Sequence, residues 1–134
     1  MRVMLDTNIL ISMIFFPSDQ TRRVASELGE KHRIILCDYV IDELQIVVER
    51  KFPHLMGALD EFFQGLPYEL VYTPQSSLND IADMRDVKDV PILTTAIMEN
   101  VDLFMTGDKD FLVLDIDQPE IITMSQFEEI YILK

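Results

Sequence analysis

Short apolar runs alternate along the chain with longer segments whose apolar residues recur at helical spacing. The runs are residues 3–5, 34–37, 69–72, 103–105 and 121–123. Nearly continuous apolar runs of this length are typical of strands that are covered on both faces, as in a parallel sheet. This alternation constrains the fold more strongly than any other feature of the sequence.

Helices are predicted between the strands, over residues 21–31, 39–51, 54–64 and 91–99. Pro91 suits a first helical turn, and Ser125 to Glu128 match a capping box that opens a final short helix. The predicted order is therefore β, α, α, β, α, α, β, α, β, β, α. Such an order implies an α/β fold with a parallel sheet and right-handed crossovers. At 134 residues, the chain is predicted to form one domain over residues 1–134.

The apolar stripe with Leu59, Phe62 and Phe63 in the segment 54–64 has two interpretations. Core packing is the simpler one, and a groove for a partner is the other.

The formal net charge of −13 argues against a general basic surface for nucleic acid. Some acids are then expected to bind metal ions, or the acidic surface to meet a basic partner. Cys37 is the single cysteine, so no intrachain disulfide forms, which fits a cytoplasmic protein. No apolar stretch is long enough to span a membrane, and Asp6 and Asn8 interrupt the apolar start that a signal peptide would need.

Four acids, Asp6, Glu43, Asp89 and Asp108, stand where predicted strands end or helices begin. In open α/β sheets, ligands bind outside the carboxyl ends of the strands. Each acid also has a structural interpretation: Asp6 and Asp89 as helix caps, Glu43 as a solvated helix residue, and Asp108 as part of a polar turn. Because all four map to one edge of the sheet, together they favour a site for Mg²⁺ or Mn²⁺, which prefer oxygen ligands.

Four segments resemble the motifs of the PIN-domain ribonucleases, most closely the VapC-like toxins of toxin–antitoxin modules. They are residues 5–12, 41–44, 85–93 and 106–112, and the resemblance extends over essentially the whole chain. It implies a three-layer α/β domain with a five-stranded parallel sheet in the order 3-2-1-4-5. Cys37 stands where members of the subgroup often have Ser, so we interpret it as a helix-entry or packing residue.

The resemblance also implies RNA cleavage that depends on Mg²⁺ or Mn²⁺, with Asp6, Glu43, Asp89 and Asp108 as the acidic quartet. The residues with supporting roles are Asn8, Thr106, Asp86 and Asp110, and the candidates for contacts with RNA phosphates are Arg85, Lys88 and Lys109. Arg22 and Arg23 are further basic candidates.

The predicted reaction is hydrolysis of an RNA phosphodiester by metal-activated water. Asp6, Asp89 and Asp108 would hold one ion, while Glu43 would help hold a second ion or orient the water. A protein antitoxin is the expected partner of a toxin. The resemblance also implies a homodimer, and the apolar stripe of the segment 54–64 is a candidate contributor to its interface. Two alternatives stay open: an RNA-processing nuclease without an antitoxin, and a non-catalytic module that binds metal or a partner. A phosphatase with an aspartyl nucleophile ranks low because Asn8 stands where a second Asp would be needed.

Overall fold

The structure is a computed structural model that describes residues 1–73 and 90–133, without the side chain of Val90. The strands are β1 (Arg2–Leu5), β2 (Arg33–Cys37), β3 (Tyr68–Val71), β4 (Leu103–Met105) and β5 (Glu120–Ile122). The helices of the described part are α1 (Thr7–Phe15), α2 (Asp19–Lys31), α3 (Asp38–Lys51), α4 (Met56–Gly65), α5 (Val90–Met98), α6 (Lys109–Leu112) and α7 (Met124–Tyr131), with a 3₁₀ turn at Pro53–Leu55.

All strand pairs are parallel, and the sheet order is β3-β2-β1-β4-β5. The α/β class, the parallel sheet and the implied order are therefore confirmed. β1 lies at the centre of the sheet, with Leu5 paired to Met105 of β4. The last residues of β1 and β4 are consequently neighbours, and the chain leaves both strands at the same edge of the sheet.

The core lies along the strands, where the side chains from Val3 to Leu5 and from Ile34 to Cys37 are buried. Burial on both sides explains why these runs are continuously apolar rather than alternating. In α4, Leu59 is fully buried while Phe62 and Phe63 pack half-buried against the core. The apolar stripe of this helix is therefore mainly core packing. Within the described residues, no helix is both long and apolar enough to cross a membrane.

Two local predictions were wrong. The final helix begins at Met124 and is capped by Thr123: its hydroxyl accepts from Gln126 N at 3.0 Å, and Gln126 Oε1 accepts from Thr123 N at 2.8 Å. In the predicted box, by contrast, the hydroxyl of Ser125 accepts from Gln20 and Glu128 accepts from Arg23 at 2.7 Å. The sequence also gave no sign of α6, whose four residues are too few to show helical periodicity.

Candidate active site

The site is built where β1 and β4 end side by side. Asp6 directly follows β1, and its backbone N–H donates to the carbonyl of Met105 at 3.0 Å. Thr106 directly follows β4, and its N–H donates to the carbonyl of Ile122 at 3.0 Å. These bonds continue the pattern of the sheet one residue beyond the strands, so the positions of both side chains are fixed by the backbone.

Asp6 is a buried carboxylate, with 5% of its surface exposed. Its Oδ1 accepts from the backbone N–H of Thr7 at 2.7 Å, as an N-cap of α1, and its Oδ2 accepts from the hydroxyl of Thr106 at 2.7 Å. The capping role considered for this acid is therefore real. Because each oxygen accepts one bond, the orientation of the carboxylate is fixed while further lone pairs stay available.

Thr106 connects the two strand-end acids. While its hydroxyl donates to Asp6, the same oxygen accepts from the backbone N–H of Asp108 at 3.0 Å. Asp108 Oδ1 then accepts from Asp110 N at 2.9 Å and caps α6. The polar turn considered around Asp108 is thus a capped helical turn. The hydroxyl of Thr106 connects the carboxylate of Asp6 to the backbone of Asp108.

The charges of the site act on Asp6. Burial raises the pKa of this carboxyl to about 6, against the hydrogen bonds from Thr106 and Thr7, which lower it. The nearby carboxylates of Glu43 and Asp108 raise the pKa further. The structure therefore brings three of the four predicted acids, Asp6, Glu43 and Asp108, within electrostatic reach of one another.

Glu43 and Asn8 reach the site from helices. Glu43 lies in the second turn of α3 and is half-buried, so it is not the fully solvated residue of the structural interpretation. Asn8 is exposed on α1, and a Cβ added to Gly107 would lie 3.6 Å from its Nδ2. The amide of Asn8 therefore stands beside the turn between Thr106 and Asp108.

The third predicted motif, including Arg85, Asp86, Lys88 and Asp89, lies outside the described residues, and α5 begins at Val90. Over residues 1–73 and 90–133, no three Asp, Glu, His or Cys side chains stand close enough together to hold a metal ion. Asp6, Glu43 and Asp108 are therefore not by themselves a complete ligand set. The donor chemistry still fits a divalent cation, because a buried carboxylate beside two like charges is stabilised by a positive charge.

The basic candidates differ in their surroundings. Lys109 is exposed and directly follows Asp108. Arg22 pairs with Asp19 at 2.9 Å, and Arg23 pairs with Glu128 at 2.7 Å. In the part of the chain with described coordinates, Lys109 is thus the predicted phosphate contact that lies next to the site acids.

Thr7 was missed at the sequence level. Its backbone N–H orients Asp6, and its own buried hydroxyl has no hydrogen-bond partner among the described residues. An Asp followed by Thr at a strand-to-helix junction is an N-cap pattern and was the available signal. Cys37 is fully buried and precedes α3 without capping it through its side chain, as expected for a packing residue.

The comparisons with known proteins agree with this architecture. The model of the PIN domain family matches residues 3–117, so the protein belongs to the PIN domain family. No curated protein matches the sequence. Among solved structures, a chain in the crystal structure of VapBC2 from Rickettsia felis, bound to a DNA fragment from its promoter, aligns with a TM-score of 0.71. The alignment covers 91% of this chain and 97% of that chain at 24% identity, a similarity that shows the fold.

Proposed function

We propose that the protein is a metal-dependent endoribonuclease that hydrolyses RNA phosphodiester bonds. The observation that carries this proposal is the state of Asp6, a buried carboxylate whose pKa is raised to about 6 by burial and by Glu43 and Asp108. Asp6 and Asp108 at the ends of two central strands and Glu43 on α3 lie within electrostatic reach of one another, and a bound cation would offset the repulsion between their charges. Membership of the PIN domain family supports nuclease chemistry.

Each acid has its own task in this proposal. Asp6 and Asp108, at the ends of neighbouring strands, hold the ion together with Asp89, and Glu43 holds a second ion or orients water from α3. Mg²⁺ or Mn²⁺, when bound, supplies Lewis-acid activation of water and offsets charge on the phosphoryl group. Thr106 keeps the Asp6 carboxylate in one orientation through its 2.7 Å hydrogen bond. We assign supporting roles to Asn8, Asp86 and Asp110, which stand near these acids in the sequence.

The strongly acidic chain restricts how RNA approaches the site. With a net charge of −13, attraction of phosphates depends on the bound cation and on a few local bases. We assign this task to Lys109, which is exposed beside Asp108, and to Arg85 and Lys88 of the third motif. Because each neutralised phosphate releases counterions, RNA binding is expected to weaken as the salt concentration rises.

We further propose that the protein acts as the toxin of a toxin–antitoxin module in the cytoplasm. A solved structure with this fold is a VapBC2 complex, and a site lined by acids suits a partner that inserts a basic side chain among them. Inducing the wild-type chain in a bacterial host should stop growth, whereas Asp6→Asn should not. Unimpaired growth with an active nuclease would instead indicate an RNA-processing enzyme without an antitoxin.

A homodimer is part of the proposal. Light scattering on the purified protein should give twice the chain mass of 15.6 kDa. Because Leu59 is fully buried in the core, the stripe on α4 leaves only its half-buried residues, Phe62 and Phe63, for such an interface. A mass equal to one chain would remove the homodimer from the proposal without touching the nuclease.

The nuclease is tested by incubating the protein with a panel of single-stranded and structured RNAs in Mg²⁺, in Mn²⁺ and in EDTA. Asp6→Asn is the test variant, and Asp60→Asn, an exposed acid of α4, is the matched control. Cleavage that needs a metal ion, survives Asp60→Asn and disappears in Asp6→Asn supports the proposal. A folded protein that cleaves none of the RNAs under any condition would favour the non-catalytic module.

A further inference from the structure

Arg2 connects three elements at the edge of the sheet opposite Asp6. It begins β1, and its guanidinium donates to the backbone carbonyl of Glu99 just after α5. The guanidinium also donates to Glu99 Oε1 at 3.3 Å and to Glu69 Oε2 of β3 at 3.0 Å. In addition, the backbone N–H of Arg2 donates to Asp102 Oδ2 at 2.8 Å.

The backbone at the end of α5 leaves one carbonyl to accept from this side chain. Asn100 adopts a left-handed backbone conformation with φ of 53°, its N–H donates to Ile97 O at 3.1 Å, and Val101 N–H donates to Ala96 O at 3.3 Å. This is the Schellman arrangement that closes a helix. The carbonyl of Glu99 falls outside these two bonds and accepts from Arg2, whose positive charge also suits the negative end of the helix dipole.

Two of the three elements that Arg2 connects adjoin predicted site acids in the sequence: β1 ends just before Asp6, and α5 begins just after Asp89. From Arg2, β1 extends roughly 13 Å to Asp6, at 3.3 Å per residue. From Glu99 back to Val90, α5 covers about 13.5 Å, at 1.5 Å per residue. The strand and the helix therefore have nearly the same length. A contact that joins the start of β1 to the end of α5 consequently also sets how far the start of α5 lies along the direction of β1.

We propose that Arg2 is a positioning residue: by binding the end of α5, it sets the height of the start of this helix relative to the end of β1, which Asp6 follows. The inference rests on the proposed function, in which Asp6 acts together with Asp89, the residue that precedes α5 in the sequence. Arg2 lies at the opposite end of β1 from Asp6 and so acts from a distance. Its effect passes through the helix, which is rigid along its axis.

Stability alone does not account for this arrangement. The side chains of Arg2 and Glu99 are 30% and 37% exposed, and ion pairs with this much solvent contribute little to folding. The bond to the helix carbonyl is charge-assisted and directional, and so fixes the end of α5 relative to β1. Removing Arg2 is therefore expected to shift or loosen α5 in a protein that still folds.

The test uses Arg2→Gln and Arg2→Lys, with Arg33→Gln as the matched control. Arg33 pairs with the same Glu69 at 3.3 Å, but its ion pair does not include Glu99. Amide hydrogen exchange is measured in α5 of the full chain without RNA or metal. Arg2→Gln should speed exchange in this helix about tenfold, in line with the loss of one charged hydrogen bond, while Arg33→Gln should leave it unchanged.

Steady-state cleavage provides the second readout. Arg2→Gln should lower kcat about 10- to 100-fold with little change in KM, because an error of about 1 Å in placing a reacting group costs this much. Arg2→Lys, which can still donate to the Glu99 carbonyl, should recover part of the rate.

The two readouts separate the failure of this inference from the failure of the proposed function. Unchanged exchange in Arg2→Gln, or equal losses of kcat in Arg2→Gln and Arg33→Gln, would overturn the role of Arg2. A wild-type protein that cleaves no RNA would contradict the nuclease, and hydrogen exchange would still decide whether Arg2 fixes α5.

Discussion

The hydroxyl of Thr106 donates a 2.7 Å hydrogen bond to the carboxylate of Asp6 across the central pair of strands. Its oxygen also accepts, at 3.0 Å, from the backbone N–H of Asp108. One buried side chain thus sets the orientation of the first acid and the path of the chain at the second. The distance between the two strand-end acids therefore depends on a residue that carries no charge.

Replacing Thr106 with Val should lower RNA cleavage about 10- to 100-fold, the usual cost of losing a group that orients a metal ligand. The valine has nearly the same shape, but it cannot donate to Asp6 or accept from Asp108. Thr106→Ser keeps the hydroxyl and should retain most of the activity. Cleavage rates at saturating metal decide the matter, and equal rates for Val and Ser would contradict the role of the hydroxyl.

The metal-free protein should lose stability as Asp6 ionises. Its folded pKa of about 6 lies above the value of 3.8 for a free aspartate, so the folded chain holds a proton that the unfolded chain has already released. Raising the pH through this window should lower the free energy of unfolding by up to about 3 kcal/mol. The stabilisation from protonated Asp6 is fully present below about pH 3.8, and it is lost as the pH rises through about 6.

Asp6→Asn removes this titration, so the difference in stability between variant and wild type should change across the same window. Urea unfolding in EDTA at about pH 4 and about pH 7.5 measures it, with Asp60→Asn as the control for removal of an exposed acid. The difference between Asp6→Asn and wild type should favour the variant more at the higher pH. An identical difference at both pH values would show that Asp6 is not held in an unfavourable environment.

The short helix α6 is packed on the core through Phe111, whose side chain is fully buried. Its ring contacts that of Phe104 edge to face, with 4.9 Å between the ring centroids. Phe111→Ala should cost about 3–5 kcal/mol of unfolding free energy, because it opens a cavity in the core. Val113, the residue that follows α6, is 74% exposed, and Val113→Ala should change stability by less than about 0.5 kcal/mol. Thermal or urea unfolding of both variants checks the contrast, and similar losses would place Phe111 outside the core.

The thiol of Cys37 should be inert in the folded protein. It is fully buried, and burial raises its pKa to about 11, so almost no thiolate forms near neutral pH. A thiol reagent such as a disulfide dye should react at about pH 8 only as fast as the protein unfolds, and rapidly in denaturant. Fast reaction of the native protein would mean that Cys37 is accessible and that its packing role is wrong.

Much of the fold follows from the sequence because the strands are buried on both faces. Runs such as residues 34–37 are apolar throughout, which separates them from the amphipathic helices. The strand order required the family resemblance, since nothing in the local pattern shows that β1 lies between β2 and β4. The cap of α7 was misplaced because residues 123–126 and 125–128 both match a capping box in the sequence, and the structure forms the first of them.

At the site, the sequence indicated Asp6, Glu43 and Asp108, because strand ends and first helical turns are recognisable from patterns. It did not indicate that Asp6 is buried or that Thr7 orients it through the backbone. The burial of Asp6 depends on the pairing of residues about 100 positions apart, as between Asp6 and Thr106. The bond from Thr7 is local, and the Asp-Thr pattern of an N-cap could have indicated it. The metal roles of the acids, including Asp89, stay predictions.

The claim that the acids at the ends of β1 and β4 bind the ion is tested most directly by titrating the protein with Mn²⁺, following free Mn²⁺ by electron paramagnetic resonance. Wild type and the control Asp60→Asn should bind with the same affinity, and Asp6→Asn should bind about 10- to 100-fold more weakly. Equal affinity in Asp6→Asn and wild type, or no binding by the folded wild-type protein, would contradict a metal site at this edge of the sheet.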